Sequence, residues 1–302
     1  MKNRLTILLA LLVCSALFLT SCEISVSDMN ISLGTSNYRY DHSSAYSAGD
    51  VTLKDTVKYL DISWINGDVV IEYYDGAEVI AEEKSDHSLT DDEIMRYWLD
   101  GETLHIKYMA SGVYKNMPKD KELVVKLPAD SNLMDVEIET VSADMEITAI
   151  KTNDLNIETV SGNILFEDLA INREAEISNV SGMIKGTLSA NEFSFENVSG
   201  NIEISCKDVR EISASNVSGN VIVLCEIAPE DLDIETVSGN ASVFLPKDCE
   251  FFVKFASVSG KLDSDFPMTV KGKIYSCGIS DLEYEIETVS GDAALFYLTI
   301  EK

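Results

Sequence analysis

The chain has 302 residues, with 52 Asp and Glu against 23 Lys and Arg and three His. A formal charge of −29 repels phosphate backbones and anionic lipid surfaces, which excludes nucleic acid as a partner and a basic patch as the membrane contact. The acidity serves solubility.

The first element is a leader. Met1-Lys2-Asn3-Arg4 is basic, Leu5 to Thr20 is uncharged, and Leu19-Thr20-Ser21-Cys22 precedes Glu23. A basic start, a short apolar run and small residues at a cleavage point predict a secretory signal over 1–21, too short to span comfortably as a helix. Leu19-Thr20-Ser21-Cys22 also resembles a bacterial lipobox, which would make Cys22 the first mature residue and the lipid attachment site, with acyl chains as the contact to a bilayer. Removing 1–21 takes away Lys2 and Arg4 and leaves 21 basic side chains against 52 acids, a formal charge of −31. The expected location is extracytoplasmic, lipid-anchored to a bacterial membrane in the cell envelope.

Residues 22–50, rich in Ser, Asn and Tyr without an apolar period, predict a flexible tether. From Val51 to about residue 130, apolar runs flank Asp75-Gly76 and Asp100-Gly101, both hairpin signals, so 51–130 reads as a small antiparallel β-region and cap. Within it, Ile65-Asn66-Gly67-Asp68-Val69 is a worn copy of a phrase that recurs downstream, and Thr90-Asp91-Asp92-Glu93 carries a helix-capping signal.

Over 131–302 the chain repeats itself: I-E-T-V-S-G-N at 157–163 and 234–240, I-E-T-V-S-A-D at 138–144, I-E-T-V-S-G-D at 286–292. The corners are Val141-Ser142, Val160-Ser161-Gly162, Val180-Ser181-Gly182, Val198-Ser199-Gly200, Val217-Ser218-Gly219, Val237-Ser238-Gly239, Val258-Ser259-Gly260 and Val289-Ser290-Gly291. Their serines are separated by 19, 20, 18, 19, 20, 21 and 31 residues, and a step near 20 is the mark of stacked repeats. Leu155, Ile157 and Thr159 alternate with Asn156 and Glu158, and Ile164 and Phe166 with Leu165, so two short strands flank each corner. Strands this short bury a face only by stacking copy on copy, in parallel and in register, at ~4.8 Å per coil. The expected fold is all-β, a single-stranded parallel β-solenoid of about eight coils.

The valine is expected to point inward at the corner, and the glycine, replaced only by Ala143, to turn the chain where a Cβ is unwelcome. The Thr, Asn or Ser before each valine and the polar residue after each glycine are expected to form ladders with their own copies. That structural account competes with a row of catalytic serines and displaces it. Cys206 and Cys225, 19 residues apart, should sit on adjacent coils facing inward; a buried thiol pair is expected, though the spacing admits a disulfide. No C-x-x-C pair occurs and His42, His87 and His105 lie far along the chain from Cys206, Cys225, Cys249 and Cys277, so no metal or cofactor is expected. The N-terminal region and the departures after Ser259 are expected to cover the two open sheet edges.

Coils of 18–21 residues leave no loop for a pocket, no nucleophile elbow occurs and no histidine falls in the repeats, so no enzyme activity is expected. Only Lys261 to Glu285 is long enough to hold a polysaccharide-active site, with Asp263, Asp265, Lys271 and Lys273 available. The V-S-G-[ND]-I phrases behind a lipobox resemble the bacterial "putative adhesin" family of β-strand-repeat surface domains of unknown function, from about Val51 to the end. The resemblance implies a β-solenoid and an envelope location, and brings no catalytic residues. It also implies a role as a surface binding or scaffold module toward an envelope protein or glycan, or as an accessory of envelope-stress signalling.

Overall fold

In the computed structural model the described residues are 23–26, 29–32, 38–113 and 121–299. The expected signal segment 1–21 and the lipid-bearing Cys22 lie outside them. The chain divides into two units, one ending at Glu146 and one beginning at Ile147.

Unit 1 contains β1 (Glu23–Val26), β2 (Met29–Ser32), β3 (Tyr38–Arg39), β4 (Ser47–Ala48), β5 (Val51–Leu53), β6 (Tyr59–Tyr74), β7 (Val79–Ser85), β8 (Arg96–Asp100), β9 (Thr103–Lys107), β10 (Lys121–Pro128) and most of β11 (Asp135–Thr148). Strand β6 turns at Gly67, where φ is +91° and a Cβ would overlap the Lys121 carbonyl oxygen. Its first arm pairs in parallel with β9 and its second with β10. The worn phrase at Ile65-Asn66-Gly67 is therefore a coil corner. Antiparallel strands cover the outer edges of that coil: β8 on β9 and β7 on β10, with β4 and β5 beyond them. Asp100-Gly101 makes the expected hairpin between β8 and β9, whereas β10 separates the strands that Asp75-Gly76 connects. Glu93 Oε2 accepts from the Thr90 N–H at 2.8 Å, half of a capping box, and from the Thr90 hydroxyl at 2.7 Å around a single turn, and no helix follows.

Order in unit 1 reaches back into the segment expected to be a tether. Tyr38 is fully buried and its hydroxyl accepts the Tyr108 N–H at 3.2 Å, while the Tyr40 hydroxyl donates to the Met109 carbonyl at 3.1 Å. Among the residues whose burial is described, Tyr38 and Tyr40 are buried because aromatic area, not the surrounding Ser and Asn, decides this stretch.

Unit 2 is a parallel β-solenoid. Its strands are β12 (Lys151–Ser161), β13 (Ile164–Ser181), β14 (Ile184–Ser199), β15 (Ile202–Ser218), β16 (Val221–Cys225), β17 (Asp231–Ser238), β18 (Ala241–Leu245), β19 (Phe251–Ser257), β20 (Leu262–Ser264), β21 (Thr269–Lys271), β22 (Ile274–Cys277), β23 (Glu283–Thr288) and β24 (Ala293–Tyr297). One inward column runs Ile157, Ile177, Phe195, Ala214, Ile234, Ile286 in unbroken register. Large and small side chains alternate up the columns: Phe193 sits over Ala175, Phe195 over Ala214, and Gly186 beneath the Phe166 ring, which a Cβ there would overlap. Such alternation fills a core at constant strand spacing.

The coils do not stack in chain order. Strand β23 pairs in parallel with both β17 and β19, and β24 with both β18 and β20. The Ser290 coil thus lies between the Ser238 and Ser259 coils, and the edge coil is the one that carries Ser259. The β21–β22 hairpin covers that edge by antiparallel pairing of β22 on β19. Covering an open parallel edge with short antiparallel strands, here carrying exposed Lys271 and Lys273, is the usual defence against edge-to-edge association.

At the corners the structure corrects the expected side-chain directions. The recurring valines stack in a column but point outward: Val180 is 40% and Val258 74% exposed. The residue before the valine is the buried one at Thr159, Asn179, Asn197, Asn216, Thr236 and Thr288, while Ser257 at the edge coil is half-buried. Strict alternation from the inward isoleucine forces this, since Ile157 and Thr159 share parity and Val160 does not. The expected ladder between copies forms where Thr288 Oγ1 donates to Ser257 Oγ at 2.8 Å in the neighbouring coil, whereas the asparagines bond backbone. Asn179, Asn197 and Asn216 Nδ2 donate to the carbonyls of Gly162, Gly182 and Gly200, one coil away, at 3.1–3.3 Å. On the outside, Asn201 Oδ1 accepts from Asn220 N–H, Asn220 from Asn240, Asn240 from Asp292, and Asp292 from Lys261, at 3.0–3.1 Å. Gly162, Gly182 and Gly200 have φ near +140°, and a Cβ on Gly182 or Gly200 would overlap the carbonyl of the glycine in the neighbouring coil.

Gly200→Ala meets both a positive φ and that carbonyl, whereas Gly101→Ala, at φ +62°, meets nothing within 4 Å. Urea denaturation should show Gly101→Ala losing about 1–2 kcal/mol and Gly200→Ala distinctly more. Equal losses would remove the glycine contact between coils as the cause.

Candidate functional site

The first expected corner, Val141-Ser142, falls in unit 1, and the corners from Val160 onward lie in unit 2. Ser161, Ser181, Ser199, Ser218 and Ser238 lie in one register column and are exposed. Cys206 faces Cys225 across adjacent strands, both as buried free thiols, and burial beside its partner pushes the Cys206 thiol up. Cys249 and Cys277 are free thiols as well. The residues between Lys261 and Glu285 do not converge: Asp263 Oδ1 accepts from Ser264 N–H, Asp265 Oδ2 from Tyr297 N–H, and Lys271 and Lys273 are exposed along the hairpin.

What the phrase conceals is the chemistry of the strands leading into it. Asp154, Glu174, Glu192, Glu211, Asp231 and Glu283 form one outward column, carboxylate beside carboxylate through six coils. A second column, Glu158, Ser178, Glu196, Ser215, Glu235, Glu287, alternates acid and serine before ending in two acids. Like charges directly opposite in a sheet are destabilising by some tenths of a kcal/mol to about 1 kcal/mol per pair. Few cations relieve them: Arg173 pairs with Asp154, Arg210 with Glu211 and Glu230, and Lys254 with Glu283. Each acid of the first column stands seven residues before its marker serine, a spacing visible in the sequence once the copies are aligned on Ser161.

Unit 1 contains a separate polar network. His105 Nδ1 lies 2.5 Å from Asp61 Oδ2, and Lys107 Nζ lies 3.2 Å from Asp61 Oδ1 and 2.7 Å from Ser63 Oγ. Ser63 and Lys107 are buried, so their pairing supports the sheet and not an attacking nucleophile. Burial alone would raise the Asp61 carboxyl, but the hydrogen bond from His105 and the charge of Lys107 outweigh it and hold it below the usual range. Lys121, fully buried, pairs with Glu83, donates to the Glu93 carbonyl at 2.7 Å and lies 4.0 Å from the Tyr108 ring centroid; burial pulls its ammonium down to about 8.

Because the Asp61 carboxyl is depressed in the folded state, its contribution is fully present above its ordinary pKa near 4 and is lost as pH falls through the lower folded value. Asp61→Asn should be less stable than the parent at pH 7, and the gap should close below about pH 4. A gap that stays constant in thermal unfolding between pH 7 and pH 3 would remove Asp61 as the acid-sensitive group.

A stacked parallel body whose corners are spaced by a fixed phrase can be compared with known proteins. No curated protein matches the chain. Among solved structures, a "putative adhesin" from Bacteroides fragilis is 13% identical, covers 84% of this chain and 97% of its own, and has a TM-score of 0.46. A "putative cell adhesion protein" from Clostridium sporogenes is 16% identical over 83% of this chain and 100% of that one, with a TM-score of 0.29. A "putative lipid binding protein" from Parabacteroides distasonis is 16% identical over 84% and 97%, with a TM-score of 0.41. The family description Toastrack DUF4097 matches residues 57–296, from the first coil of unit 1 to the last strand of unit 2, and the chain belongs to the Toastrack DUF4097 family.

Proposed function

We propose that the protein is a non-enzymatic binding module of the cell envelope, adhesin-like or scaffolding, processed after residue 21 and held to the membrane by lipid on Cys22. The single observation that supports the reading is the carboxylate column from Asp154 to Glu283. It opposes folding and is regular on the scale of one coil. A surface maintained against stability, repeating at ~4.8 Å, suits contact with an extended partner that carries cationic groups. Attraction of that kind is screened within about 8 Å at physiological ionic strength, so such a contact is close and salt-sensitive.

The test is capture of envelope proteins and cell-wall glycans by the full chain, compared with a variant carrying Glu192→Gln, Glu211→Gln and Asp231→Asn. Capture should be specific, should weaken with added salt, and should fall in the variant while its unfolding midpoint rises as the like-charge contacts disappear. Capture unaffected by the three changes would overturn the coil face as the contact surface. Separately, Cys22→Ser should release the protein from the membrane fraction and abolish incorporation of labelled fatty acid.

A further inference from the structure

A second surface, in unit 1, has the chemistry of a ligand site. Along β6, β8 and β9 the side chains alternate, and Leu60, Ile62, Leu104 and Ile106 are buried on one side. The other side carries Tyr59 and Asp61, Thr103 and His105, and Trp98 and Asp100. The register places Trp98 directly beside His105 and His105 beside Asp61; one row away, Asp100 lies beside Thr103 and Thr103 beside Tyr59. The two aromatic residues at the ends of this block, Trp98 and Tyr59, stand on strands two spacings apart, ~9.6 Å.

The rings are arranged as a platform. Trp98 stacks on His105 at 5.2 Å and 23°, Tyr46 meets Trp98 edge-on at 5.6 Å, and the exposed His42 ring lies 5.7 Å from Trp98. Tyr59 is 40% exposed. Asp61 engages His105 through Nδ1, which fixes the imidazole and leaves Nε2 as the group that faces an incoming partner. Among the described residues neither His105 Nε2 nor Trp98 Nε1 has a protein hydrogen-bond partner. Flat aromatic rings beside unengaged polar groups on a rigid sheet match a molecule with an apolar face and a polar rim.

We propose that this face binds a neutral β-linked glycan of all-equatorial pyranose rings, with sugar C–H faces on Trp98 and Tyr59 and hydroxyls on His105 Nε2, Thr103 and Asp100. All-equatorial rings present the broadest C–H face, and two aromatic residues separated by two strand spacings, ~9.6 Å, match alternate units of one chain. The charge of −29 selects neutral sugars over uronates and phosphate polymers. The inference rests on the reading of the protein as a binding module and gives that module a glycan site distinct from the acidic coil face.

The chain has two tryptophans, and Trp64 is fully buried, so a sugar-dependent change in emission reports on Trp98. Titration of the full chain with cellotriose and with triacetylchitotriose should give a saturable emission change with at least one of them. Trigalacturonate should give none. Trp98→Ala, followed by titration calorimetry because the reporter is gone, should show no sugar binding, and Tyr59→Ala, at an exposed position, should weaken binding roughly tenfold with its unfolding midpoint unchanged. No saturable response with either neutral sugar, equal affinity in Tyr59→Ala, or binding of trigalacturonate as tight as of the neutral sugars would overturn the proposal. If envelope capture survives in Trp98→Ala while neither sugar binds the parent, the glycan site fails and the binding module stands. If the sugar binds but capture is indifferent to the coil-face acids, the glycan site stands and the coil face fails as a contact surface.

Discussion

The corner contact between coils governs this structure. At each V-S-G the chain reverses within one strand spacing of the copy next to it, and the glycine carbonyls come so close that only hydrogen fits between. Two amides fix that approach, one from the inward Asn to the neighbouring glycine carbonyl and one from the outward Asn to a neighbouring N–H. Buried backbone groups left unpaired at a bend would each be unfavourable by roughly 1–3 kcal/mol. The corner satisfies them with side chains and so allows a tight turn in every coil.

Stacking in register repeats any outward side chain as a column. In the interior this yields rows of Ile, Val and Phe with size compensation; on the surface it yields six adjacent carboxylates. The two outcomes have opposite energetic signs. Inward identity is favourable because apolar surfaces meet, while outward identity of charge is not. The Asp61, His105, Trp98 row in unit 1 differs in kind: it is built once, from strands that do not repeat.

The architecture was legible in the sequence because a fixed step near 20 residues constrains the chain whatever lies between the markers. Valine direction is legible only from parity and not from hydrophobicity: Leu155, Ile157 and Thr159 place Val160 outside. The acid column stands at a constant seven residues before each serine, but Asp and Glu interchange there, so it emerges only when the copies are aligned in register. The order of the last coils is hidden for a different reason. I-E-T-V-S-G-N and I-E-T-V-S-G-D present nearly the same edges, so the phrase alone does not say which copy lies beside which. The burial of Tyr38 was masked by polar neighbours, although three tyrosines within nine residues, Tyr38, Tyr40 and Tyr46, are more than a tether requires.

The interposed position of β23 and β24 bears on how this end of unit 2 matures. A solenoid that adds coils in chain order can close each one as it is made. Here the Ser238 and Ser259 coils present facing, unfilled ladders until Glu283–Tyr297 is available. That end therefore closes last, and until then its exposed parallel edges depend on the speed with which the final segment slots home.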